Sequence, residues 1–146
     1  MPWSAHIYWS IEYKITDPLK GKLAVNLIIA KKSWVREEKK CDHLLAHEQG
    51  HFIIGGLCVL EFLRRVDSKK KNSLEKFEDL VLNIFNRTMG EFLEMERRYD
   101  NETEHRLNFK MQEKWDNIMY EKLKYYQQIY DKKKGVFVKL SESPSK

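Results

Sequence analysis

Leu44-Leu45-Ala46-His47-Glu48-Gln49-Gly50-His51-Phe52-Ile53-Ile54 is the stretch from which the rest of the chain is read. A helix turns about 100° per residue, so His47 and His51 share one face, roughly 6 Å apart along the axis. Both imidazoles can then reach one Zn²⁺, with the Glu48 carboxylate beside them. Neutral imidazoles hold a metal without cancelling its charge. The metal acidifies a bound water, and a nearby carboxylate takes the proton. Leu44, Leu45, Phe52, Ile53, Ile54, Leu57, Val59 and Leu60 cover nearly the whole circumference, which predicts a buried helix. Burying two histidines and a glutamate is costly unless they are satisfied. The plainer alternative is a pair of core histidines hydrogen-bonded to neighbours.

Outward from this helix the pattern changes period. Ile7-Tyr8-Trp9-Ser10-Ile11-Glu12-Tyr13-Lys14-Ile15 is rich in β-branched and aromatic residues and partly alternates, which predicts a strand. Thr16-Asp17-Pro18-Leu19-Lys20-Gly21 carries turn chemistry, and Lys22 to Ala30 reads as a second strand, so the chain opens with an antiparallel hairpin. Trp34 to Glu38 leads into the motif helix, which runs to about Val66. Ser73 is a candidate N-cap for a second helix, whose stripe is Leu74, Phe77, Leu80, Val81, Ile84, Phe85, Phe92 and Met95. A break is expected around Tyr99 to Thr103. A third helix carries Leu107, Met111, Trp115, Ile118, Met119 and Leu123, with Gly135 as its stop and Val136 to Leu140 as a possible short strand. The fold class is therefore α+β, with an N-terminal hairpin packed on a three-helix core. Residues 1–140 form one domain and 141–146 a disordered tail.

Length and charge bound the function. A chain of 146 residues can bury a real core in a single domain. No stretch has the length of a membrane span, and His47, Glu48, His51 and Glu61 interrupt the longest apolar run, so no stable membrane insertion is expected. No signal peptide is visible at Met1 to Ser10. The net charge of +5 is mild, and acidic residues are interspersed with the lysine clusters at 69–71 and 132–134, so nucleic-acid binding is not expected. Cys41 and Cys58, both on the motif helix, stand about 25 Å apart and form no internal disulfide.

A catalytic zinc usually takes three protein ligands and keeps one position open. A third histidine six residues after His51 is excluded, because that position is Leu57. Glu61 lies about 15 Å further along the helix, too far to share the metal, and is expected beside the site or at the surface. Tyr99-Asp100-Asn101-Glu102-Thr103-Glu104-His105 is the densest polar cluster, set between two helices that pack on the first. His105 is the natural third ligand, with Glu102 as second choice. His43, one turn before His47, reads as a core histidine or a neighbour of the site. Tyr99 either polarises a substrate carbonyl or packs at a helix end.

Trp34-Val35-Arg36, Leu44 to Phe52, and the Tyr99–His105 block followed by Gln112 and Trp115 resemble a family of secreted bacterial zinc proteases, domain of unknown function 922. The resemblance spans the first strand to about Leu123. It implies a zincin-like core and a metallopeptidase acting on a peptide or protein substrate outside the cytoplasm. It also implies Zn²⁺ on His47, His51 and His105, with Glu48 as general base. Two positions depart from the family's pattern: Ile53 stands where an acidic residue is frequent, and Arg106 where glycine is frequent. The rival expectation is a zinc-binding structural or interaction module without turnover, whose metal contributes folding energy. Oligomeric state is not readable from the chain.

Overall fold

The computed structural model describes residues 5–6, 8–29, 34–35 and 42–132, with side chains over 8–29 and 44–129. The order is β1 (Ala5–His6), β2 (Trp9–Asp17), β3 (Lys22–Ile29), β4 (Trp34–Val35), α1 (Asp42–Lys69), α2 (Phe77–Glu102) and α3 (Phe109–Lys132). The fold is α+β, a hairpin followed by three helices, as its patterning predicts.

β2 and β3 pair antiparallel, with Trp9 opposite Ile29 and Ile15 opposite Leu23. β1 pairs with β4. At the hairpin turn, Asp17 Oδ1 accepts hydrogen bonds from the Leu19 and Lys20 amides at 3.1 Å each, and Gly21 takes φ +62°. Alternate residues face inward. Tyr13, Ile15, Leu23 and Val25 pack against Phe62, Val66 and α2, while Ile11 joins Cys58 and Val59. Gly55 permits this docking, since a Cβ there would meet the Trp9 ring at 2.9 Å.

α1 is the central element, in contact with the β2–β3 hairpin, α2 and α3. Ile54, Leu57, Cys58, Val59, Leu60, Phe62 and Val66 are all buried, as the all-round apolar pattern requires. Cys58 is a free, buried thiol, pushed up to about 12 by burial. Cys41 lies outside the described residues. Glu61 is neither at the surface nor at the metal site. It is buried and accepts from Arg65 Nε at 3.0 Å and from the Tyr126 hydroxyl at 2.9 Å, with Arg64 paired alongside. This ionic cluster ties α3 to α1.

β2 continues to Asp17 and α1 to Lys69, each slightly beyond its expected end, and both ends of α2 also differ from expectation. α2 starts at Phe77 with Lys76 as its N-cap, while Ser73 Oγ accepts from the Glu75 amide, and Leu74 is fully exposed. More consequentially, α2 does not break at Tyr99 but continues to Glu102. Burial of Tyr99 against α1 rewards another helical turn more than the polar Asp100-Asn101 pair disfavours it. The break falls instead at 103–108, before α3. The expected helix stop at Gly135, the strand at 136–140 and the tail at 141–146 lie outside the described residues.

Candidate metal centre

α1 presents His47 and His51 one turn apart, each 2 % exposed, and with ring centroids 5.0 Å apart. Opposite them α2 presents Glu96 and Asp100, also one turn apart. His47 Nε2 lies 3.0 Å and His51 Nε2 2.8 Å from the same oxygen, Asp100 Oδ1. The other nitrogen of each ring is engaged elsewhere: His47 Nδ1 with Gln112 Oε1 and His51 Nδ1 with Glu96 Oε2, both at 2.8 Å. Two nitrogens and a carboxylate oxygen thus converge, with donor atoms all within 4.8 Å of one another.

The donor set suits a divalent cation. A ring whose Nδ1–H faces a carbonyl or carboxylate offers only a lone pair at Nε2. Two such lone pairs aimed at a carboxylate oxygen repel one another unless a proton or a metal lies between. Ligand atoms on one tetrahedral zinc stand about 3.3 Å apart, so each Nε2–Oδ1 pair needs to open by only about 0.3–0.5 Å. Glu96 Oε1 is buried without a hydrogen-bond partner among the described residues, a further negative atom beside the site.

Without a metal, a proton fills the role. Burial alone would lower the His51 imidazole, but its hydrogen bonds to Asp100 and Glu96 outweigh that and push it up to about 10. For Asp100, burial works upward, yet the hydrogen bonds from His47 and His51 hold the carboxyl well below its ordinary value.

The expected residues fall into place unevenly. His47, His51 and Glu48 are together on buried turns of α1, with Glu48 7 % exposed. His105 lies outside the converging group: its Nδ1 is 3.6 Å from Asp100 Oδ1 and its side chain is 40 % exposed. Glu102, the second choice, accepts from Trp115 Nε1 at 3.1 Å and pairs with Arg98. Tyr99 is fully buried, and its ring stacks on His47 at 4.6 Å. Its hydroxyl donates to the His47 carbonyl at 2.8 Å, so it faces the α1 backbone. The side chain of His43 lies outside the described residues. The turn after α2 holds Glu104, His105 and Arg106 at φ +51°, +53° and +91°. Left-handed backbone costs about 1–2 kcal/mol for a residue with a Cβ. Arg106 thus adopts a backbone conformation that glycine would take freely.

Asp100, Glu96 and Gln112 were not singled out as site residues by the sequence alone. The available signal was spacing, because Glu96 and Asp100 are four apart, matching His47 and His51, once α2 is carried through Tyr99.

No protein family, no curated protein and no solved structure matches this chain. The likeness to domain of unknown function 922 rests on the quoted residues.

Proposed function

We propose that this protein is a zinc-dependent hydrolase, a peptidase by preference, whose metal is held by His47, His51 and Asp100. The observation that carries the reading is the convergence of both Nε2 atoms on Asp100 Oδ1, with each Nδ1 backed by an acceptor. Carboxylate- or carbonyl-backed imidazoles are the usual support of metal-bound histidines. Bound there, Zn²⁺ would supply Lewis acidity to a water and to a substrate carbonyl. Glu48, on the same helix as both histidines, takes the proton from the attacking water and returns it to the leaving amine. His47 and His51 keep water out of the inner side, being almost fully buried, while Asp100 and His105 stand on the more open side. The substrate is a peptide or protein, and the setting is extracytoplasmic, both following from the resemblance.

A second reading, a zinc site without turnover, is favoured by how little of His47, His51 and Glu48 reaches solvent. Metal analysis and hydrolysis of a quenched-fluorescent peptide library by wild type and Glu48→Gln separate the two. Stoichiometric zinc and a loss of about 10²–10⁴ in rate are expected. Zinc with hydrolysis unaffected by the substitution sinks the base assignment. Zinc with no hydrolysis in wild type selects the second reading.

A further inference from the structure

Around Gln112 the direction of every proton is fixed. The Tyr99 hydroxyl donates to the His47 carbonyl, so it meets Gln112 with a lone pair. Asp116 Oδ1, a carboxylate oxygen, also only accepts. The part of the Gln112 amide facing both must be the NH₂ group: Nε2 donates to the Tyr99 hydroxyl at 2.7 Å and to Asp116 Oδ1 at 2.9 Å. Oε1 is left facing His47 Nδ1 at 2.8 Å, and an amide oxygen there requires a hydrogen on Nδ1.

We propose that Gln112 is a positioning residue that sets the tautomer of His47, keeping a hydrogen on Nδ1 so that Nε2 is the nitrogen turned toward the cation site. The proposal rests on the reading of His47 as a metal ligand. Its geometry is a closed ring: His47 Nδ1–H to Gln112, Gln112 N–H to Tyr99, Tyr99 O–H back to the His47 carbonyl. All three bonds run in one sense, so each polarises the next. The ring joins α1, α2 and α3 at one point. Asp116, one turn along α3 from Gln112, stands outside the ring and holds the amide against flipping. The docking of α3, which contributes none of the three converging ligands, thereby orients a ligand on α1.

Imidazole ¹⁵N spectra of the metal-free protein, with competition against a chromophoric zinc chelator, test this. Wild-type His47 is expected to carry its hydrogen on Nδ1. Gln112→Glu keeps an acceptor there and should keep that hydrogen. Gln112→Met, similar in length and without an acceptor, should lose it and weaken zinc binding about 10–100-fold. A wild-type His47 bearing its hydrogen on Nε2 alone overturns the proposal, and so does a Met variant with unchanged tautomer and affinity. The wild-type spectrum decides even if the Met variant fails to fold. Absence of zinc binding with Nδ1 still protonated counts against the metal reading and leaves the tautomer assignment standing.

Discussion

The Tyr99 hydroxyl occupies the space that a side chain at position 50 would need: a Cβ on Gly50 would stand 2.1 Å from that oxygen and 2.5 Å from Cζ. Glycine within the histidine motif is what lets α2 approach α1 closely enough for Tyr99 to reach the His47 carbonyl. The same approach delivers Asp100, the next residue, to both imidazoles.

Gly50→Ala should therefore push the helices apart. Overpacking of this kind costs about 1–3 kcal/mol. Denaturant unfolding should show that loss, and chelator competition should show weaker zinc binding in the same variant. A variant as stable as wild type would contradict the packing described.

Asp100→Ala and His105→Ala distinguish the two candidate third ligands. Loss of Asp100 should weaken zinc binding by more than the roughly 10–100-fold that removal of a supporting partner costs. Loss of His105 should leave affinity within about tenfold, the lower bound of that range. The opposite ranking would give His105 the ligand role that the resemblance implies.

Glu96→Gln keeps an acceptor for His51 Nδ1 but removes its charge. Zinc affinity should fall by about 10–100-fold while the fold is retained. Calorimetric titration with zinc and a circular dichroism spectrum report the two quantities separately.

The metal-free protein should lose stability as pH rises. His51 is held at about 10, above its ordinary 6.5, so the folded state binds this proton more tightly than the unfolded chain does. The resulting stabilisation is complete below about pH 6.5 and drains away as pH climbs toward 10. Asp100 has the opposite sign: its lowered pKa stabilises the fold above the ordinary carboxylate value, and that contribution is lost in acid. Between pH 6.5 and 8.5 His51 should dominate, with a falling Tm without metal and a flatter one with saturating zinc. Thermal scans across that range check it, and a metal-free Tm that rises with pH would refute the His51 assignment.

How much was legible in the chain varies with the range of the interaction. The alternation of Trp9 to Ile15 and the turn chemistry at Asp17 and Gly21 are local, and the hairpin follows them. The apolar girdle around His47 and His51 predicted a buried helix, and α1 is buried. Tyr99 to Thr103 misled because Asp100 and Asn101 are weak helix formers, and tertiary burial of Tyr99 overrode that preference. A break at Tyr99 would place Asp100 outside the helix, where its four-residue spacing from Glu96 carries no meaning.

Two imidazoles and a carboxylate share one buried helix because helical spacing is a property of a single segment, legible in the chain. What faces them is set by the packing of one helix on another. That depends on the register between α1 and α2, fixed by Tyr99 closing on Gly50, and on the docking of α3 that brings Gln112 to His47. Contacts between helices have no periodicity within either one. Asp100 therefore became identifiable as the opposing group only once the helices were packed.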